Sequence, residues 1–196
     1  MRIGVLAVQG AFIEHIQMIS NISESYDEEI ECFEIRQAKD LQNIDGLILP
    51  GGESTVQGKL IKDLGMFDSL HKMIQDGLPT LATCAGVILL ARDIENDATH
   101  HLSTLPVTIK RNAYGRQLGS YMTNASVGDI KDYPLVFIRA PYITDVDSDV
   151  KVLTKVDSNI VAVEYNNQIG LSFHPEMTKD DRIHRYFIDK IISTKK

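Results

Sequence analysis

Gly46-Leu47-Ile48-Leu49-Pro50-Gly51-Gly52-Glu53-Ser54-Thr55 is the stretch on which the fold turns. An apolar run of this length, without polar alternation, reads as a strand buried on both faces, the habit of a parallel sheet. Glycines and small polar residues follow at once. Leu60, Leu64, Phe67, Leu70 and Ile74 then recur at helical spacing, so the unit is strand, turn, helix.

The same unit appears on either side. Ile3 to Val8 is an apolar run closed by Gln9-Gly10, and Phe12, Ile16 and Ile19 behind it form one apolar helical stripe. Leu78 to Thr83 leads through Cys84-Ala85 into a helix expected over Gly86 to Asp93, and Glu29 to Ile35 supplies a further strand. From about Leu105 the texture changes to short strands, Leu105 to Arg111, Leu135 to Arg139, Val150 to Val156, Ile160 to Tyr165 and Gln168 to Phe173, and a last helix spans Arg182 to Ile192. These imply an α/β fold: a mainly parallel mixed sheet between helices, with an antiparallel section in its second half.

The chain has 196 residues, against a prior of roughly 150 per domain, and shows no repeat or linker, so residues 1–196 read as a single domain. With 43% hydrophobic and 24% charged residues, it has the material for a core and no disorder signature. Twenty Lys and Arg against 27 Asp and Glu leave a net charge of −7, which disfavours coating nucleic acid or an anionic membrane. Cys32 and Cys84 form no C-x-x-C pattern, so reduced thiols fit better than a disulfide framework or zinc ribbon. No segment resembles a signal peptide or membrane span, and the expectation is a soluble, cytoplasmic protein.

Ligands of open parallel sheets bind at the carboxyl ends of strands. Three polar clusters fall there: Gly51-Gly52-Glu53-Ser54, Thr83-Cys84-Ala85-Gly86 and His174-Pro175-Glu176. Cys84 sits where a strand turns into a helix, and unpaired N–H groups at a helix start favour thiolate. A small buried core cysteine is the competing reading, and the only one for Cys32. In an extended segment His174 and Glu176 point to the same side, so the carboxylate can orient the imidazole. Alone, His-Pro-Glu is equally a polar turn. Together with Cys84 it becomes a candidate Cys-His-Glu triad, with the Gly51-Gly52 backbone and the N–H of Ala85 as candidate oxyanion donors.

Other motifs are weaker. Gly52 to Lys59 has the wrong spacing for a phosphate loop, the first strand lacks G-x-G-x-x-G, and His100-His101, without zinc-spaced partners, reads as a solvated loop. Lys110, Arg111 and Arg116 are too few for a nucleic-acid surface. Arg111 and Arg139 each border apolar strand residues, where a guanidinium needs an anion: an internal carboxylate or that of a substrate.

Gly-Gly-Glu-Ser-Thr at 51–55, Thr-Cys-Ala-Gly at 83–86, Arg-Asn-Ala-Tyr-Gly-Arg-Gln at 111–117, Phe-Ile-Arg-Ala-Pro at 137–141 and Ser-Phe-His-Pro-Glu at 172–176, taken together, resemble the glutaminase subunits of pyridoxal 5′-phosphate synthase. These are a branch of the class I, triad-type glutamine amidotransferases. The resemblance implies a three-layer, flavodoxin-like domain that hydrolyses L-glutamine to L-glutamate and ammonia. It makes Cys84 the nucleophile, His174 the base and Glu176 its orienter, and it places glutamine on Gly52, Glu53, Ser54, Arg111, Ile138 and Arg139. It implies no metal or cofactor, and a large complex with a (β/α)8-barrel synthase subunit that receives the ammonia. Ala82, Val56 and Met177 depart from the family strings, the first as a possible crowding of the Cys84 turn. A glutaminase for another acceptor, or a catalytically silent subunit if Cys84 were buried or its thiol hard to ionise, are the alternatives.

Overall fold

A computed structural model describes residues 1–111 and 120–195. Its elements are β1 (Arg2–Leu6), α1 (Phe12–Ser23), β2 (Glu31–Ile35), β3 (Gly46–Leu49), α2 (Ser54–Asp63), α3 (Phe67–Gln75), β4 (Thr80–Thr83), α4 (Ala85–Leu90), β5 (Ala91–Ile94), β6 (Leu105–Lys110), β7 (Ser120–Val127), β8 (Ile130–Ile138), β9 (Tyr142–Val146), β10 (Lys151–Val156), β11 (Asn159–Tyr165), β12 (Gln168–Leu171) and α5 (Arg182–Thr194).

Within the described residues the main sheet runs β2-β1-β3-β4-β12-β11-β9-β6-β5, with β10 on β11, while β7 and β8 form a separate hairpin. From β2 through β12 every pairing is parallel, and the turn to antiparallel comes at β11. The 2-1-3-4 order is that of flavodoxin-like sheets, whose ligand crevice lies where the order reverses, beside β1 and β3.

Successive residues of the parallel strands feed two cores. Leu6, Leu47, Leu49 and Ala82 pack with Ile61, Leu70, Ile74 and Val87 from α2, α3 and α4. Ile3, Val5, Ile48 and Leu81 face the other way, onto Ile19 and Ile22 of α1, Ile183, Phe187 and Ile191 of α5, and Leu135 and Phe137 of the hairpin. Helices therefore cover both faces, giving three layers. Burying each such side chain contributes about 1.5–3 kcal/mol, which is why the strands carry no polar alternation. Ala82, across from Leu49 on one side and Gly170 on the other, is fully buried. Its methyl is part of the first core, set opposite a residue that has none.

The structure corrects four expectations. The stripe from Leu60 to Ile74 is two helices, because Gly65 at φ +66° ends the first and Met66 drops into the core. The helix expected to reach Asp93 stops at Leu90; Ala91 turns extended (φ −56°, ψ 136°), and Ala91–Ile94 pairs with β6 instead. Strand pairing outweighs local helical preference there. β7 and β9 are strands in segments whose sequence carries no clear strand signal. β7, SYMTNASV, alternates in exposure as a one-sided ribbon, and its Ser, Thr and Asn content masks the period.

Candidate active site

Cys84 stands between β4 and α4 with φ +48° and ψ −104°, a conformation that costs a non-glycine residue about 1–3 kcal/mol. The surroundings enforce it. The Cys84 N–H donates to Leu171 O (2.8 Å), extending the β4–β12 ladder, while α4 starts at Ala85 with all six residues buried. Gly86 permits the close approach: a Cβ there would lie 2.0 Å from the Leu49 carbonyl oxygen. Strand, tight turn and helix thus hold the sulfur at the carboxyl end of the sheet, and as first helical residue Ala85 has no helical acceptor for its N–H.

His174 and Glu176 follow β12. The His174 backbone N–H donates to Val136 O of β8 (2.8 Å), which ties this segment to the hairpin, and Pro175 opens a short 3₁₀ turn that carries Glu176. His174 Nδ1 and Glu176 Oε1 are 2.7 Å apart, both side chains buried. Glu176 Oε1 accepts the Nδ1 proton, and Nε2 has no partner among the described residues. Burial works against a charged His174, but Cys84 and Glu176 outweigh it and push its pKa up to about 10. Glu176 is held below the usual carboxylate range: desolvation opposes this, and the imidazoles of His15 and His174 overcome it.

Gly51 closes the arrangement, since a Cβ on it would come within 2.4 Å of His174 Cε1 and 3.4 Å of Cys84 Cβ. A cavity of about 490 Å³ opens above, lined by Gly51, Gly52, Glu53 and Ser54 from the β3–α2 turn, by Cys84 and Ala85, by Arg111, Ile138 and Arg139, and by His174. Of the candidate triad, oxyanion and glutamine-binding residues, all except Glu176, which lies behind His174, border this cavity. Cys84 is 6% exposed, as expected of a residue on a cavity floor. Its Sγ points to the carbonyl of Ile138 at 3.8 Å. Burial here is therefore no argument for a silent subunit. Cys32, by contrast, is raised to about 12 by desolvation and lies off the site.

The arginines differ. Arg111 Nη1 pairs with Asp97 (3.1 Å) and lies 3.4 Å from Thr55 Oγ1, while Nε and Nη2 have no partner among the described residues. An internal carboxylate thus takes Nη1, and the buried Nε and Nη2 are left without a partner among the described residues. Arg139 sits at φ +46° just beyond β8, a left-handed turn that sets it on the cavity wall. Glu53 caps α2, accepting from the N–H groups of Thr55 (3.2 Å) and Val56 (2.7 Å). That carboxylate occupies the donors a phosphate loop would offer, in keeping with the poor match to such a loop.

Sequence reasoning missed Gln9, Ala11, Ile88 and Met177 as wall residues. Gln9 carried a usable signal, since it follows β1 as Gly51 follows β3; its Oε1 accepts the Glu53 N–H at 2.8 Å. His101 is buried against Gly58 of α2, correcting its reading as a solvated loop residue, whereas His100 is exposed. Asn112 to Gln117 of the third family string, Arg116 among them, lie outside the described residues. Among the described residues no cluster of His, Cys, Asp or Glu has the makings of a metal site, and no helix is long and apolar enough to cross a membrane.

A flavodoxin-like sheet bearing a cysteine on a strained strand-to-helix turn, opposite a paired histidine and glutamate, defines a class I glutamine amidotransferase fold. A crystal structure described as a glutamine amidotransferase superposes with a TM-score of 0.88 at 36% identity, covering 96% of this chain and 98% of the other. The model of the SNO glutamine amidotransferase family matches residues 5–193, and the chain belongs to that family. Named relatives agree: pyridoxal 5′-phosphate synthase subunit PdxT of Desulfitobacterium hafniense (strain DSM 10664 / DCB-2) is 57% identical over 97% of this chain and 94% of its own length. The subunit of the same name from Methanocorpusculum labreanum is 51% identical over 99% and 100%.

Proposed function

We propose that the protein is the glutaminase subunit of a pyridoxal 5′-phosphate synthase, hydrolysing L-glutamine to L-glutamate and ammonia. The observation that carries this is the meeting of Cys84, His174 and Gly51 on the floor of one cavity, in a chain whose relatives bear that subunit's name. Residues 1–196 act as one glutaminase domain in the cytoplasm.

The thiol proton of Cys84 passes to His174 Nε2 and the thiolate attacks the side-chain amide carbon. Gly51, Gly52 and Ala85 present backbone N–H groups to the oxyanion. His174 returns the proton to the leaving nitrogen, and ammonia departs as the glutamyl thioester forms. Water, deprotonated by the same imidazole, then releases glutamate and restores the thiol. Glu176 keeps the Nδ1 proton in place throughout. Arg111 and Arg139, both on the cavity wall, fit the α-carboxylate of glutamine, and Gly52, Glu53, Ser54 and Ile138 shape the rest of the pocket. The ammonia goes to a (β/α)8-barrel synthase subunit held in a hetero-oligomer with this chain.

Glutamate release by the parent and by Cys84→Ala, each with and without the synthase subunit, tests the reading. The parent is stimulated by the synthase, and the variant loses at least about a hundredfold. A fully active variant disproves the triad, and a parent that responds only to some other synthase disproves the acceptor.

A further inference from the structure

Behind Glu176 lies a pair of buried histidines that the reaction above does not use. His15 of α1 and His184 of α5 are both fully buried. His15 Nε2 lies 3.4 Å from Glu176 Oε2 and 3.2 Å from Thr83 Oγ1, and His15 Nδ1 lies 3.0 Å from His184 Nε2. His184 Nδ1 has no partner among the described residues.

One proton order satisfies these contacts. An ionised Glu176 accepts only, so the His15 nitrogen nearest to it carries the proton: Nε2–H has Thr83 Oγ1 as its hydrogen-bond partner and meets Glu176 Oε2 as an electrostatic contact at 3.4 Å, Oε2 having no hydrogen bond among the described residues. As a neutral ring, His15 then accepts at Nδ1, which obliges His184 to donate from Nε2. The atom left unpaired is the lone pair of His184 Nδ1, whereas the reverse order would bury an N–H with no acceptor, the costlier fault. Neutrality of both rings follows from desolvation, which lowers both pKa values and takes His184 to about 3. The charged or titratable groups facing His15 are Glu176 and His174 from the β12–α5 segment, His184 from α5 and Glu14 from its own helix.

We propose that His15, ordered by His184, is a positioning residue that holds Glu176 ionised and in plane, and so fixes His174 with Nε2 open toward Cys84. The inference rests on the triad reading. No proton travels along the chain; the N–H groups of His184 and His15 point toward the carboxylate from one side, and His174 donates its Nδ1 proton to Oε1 from the other.

Partner-stimulated glutamate release across pH is the test, on the parent, His15→Phe, His15→Gln and Cys84→Ala. His15→Phe removes the donor and keeps the volume. Its kcat falls about tenfold or more, the scale of one hydrogen bond to a charged group, while KM for glutamine stays within about twofold and the acid limb of kcat moves up. The limb moves up because a carboxylate stripped of a donor protonates more readily. His15→Gln, whose amide N–H reaches as far as Nε2, recovers most of both. Unchanged kcat and acid limb in His15→Phe overturn the proposal; so does a loss that His15→Gln fails to rescue, which marks simple packing. If His15→Phe does not fold, His184→Leu, lacking the outer donor, is judged on the same limb and kcat. Activity in Cys84→Ala sinks the triad itself, whereas an inactive Cys84→Ala beside an unaltered His15→Phe sinks only the positioning role of His15.

Discussion

The Gly51 backbone lies against the His174 ring so closely that a single added methyl would come within 2.4 Å of Cε1. Glycine at this position therefore sets the imidazole's place over the β3–α2 turn and keeps the turn's backbone within reach of Cys84.

Gly51→Ala tests that relationship. Either the ring or the loop must shift, and a displacement of about 1 Å at a reacting group costs on the order of a hundredfold. We expect glutaminase kcat to fall by that order while the protein remains folded by circular dichroism. Activity within twofold of the parent would show that the imidazole is not held by the loop.

Cys84→Ala should also alter the titration of His174. Burial lowers that pKa, and Cys84 together with Glu176 raises it to about 10. Without the sulfur, Glu176 alone opposes burial, so the histidine ring resonances followed by NMR titrate at lower pH than in the parent. For stability the sign is that of a raised base: the contribution is complete below the ordinary value of 6.5 and disappears as pH rises toward 10. Alkaline unfolding should therefore be less steep in the variant.

Arg111→Ala should raise KM for glutamine by roughly 10- to 100-fold with a smaller effect on kcat, since a charge-assisted hydrogen bond to a substrate carboxylate is worth about 1.5–3 kcal/mol. The Asp97 contact is at the surface and contributes little. Steady-state kinetics decide it, an unchanged KM meaning that the guanidinium serves Asp97 alone.

His184 makes acid stability testable. Its pKa is about 3 in the folded chain and 6.5 when unfolded, so the unfolded chain binds the extra proton between those values. Stability present above pH 6.5 is lost as pH falls toward 3. Thermal unfolding followed down to pH 4 should show a steeper decline for the parent than for His184→Leu, which has no ring to protonate. Parallel curves would mean that the ring gains its proton without unfolding.

Much of the site could be read from the chain. Gly51, Cys84 and His174 each follow an apolar strand, and in a parallel sheet all such strand ends lie on one side, so three sequence clusters converge without any knowledge of pairing. Gln9 could have been found by the same rule. His15 could not, because a histidine beside Glu14 and at the margin of the Phe12-Ile16-Ile19 stripe looks the same in sequence whether it faces solvent or is buried against a carboxylate. Arg111 was visible as a cation beside apolar strand residues, but its pairing with Asp97 through Nη1, with Nε and Nη2 buried and without a partner among the described residues, depends on packing.

The sequence by itself determined the parallel strands, through apolar runs that only a doubly covered sheet can bury, and the chemistry available at their ends. Tertiary structure alone decided that Ala91–Ile94 leaves the helix for a strand, that Cys84 is held at φ +48°, and that two histidines from α1 and α5 meet behind Glu176. The division has one physical cause. Hydrophobic periodicity is written residue by residue, whereas strand pairing, backbone strain and the proton order of a buried polar chain depend on what packing brings alongside.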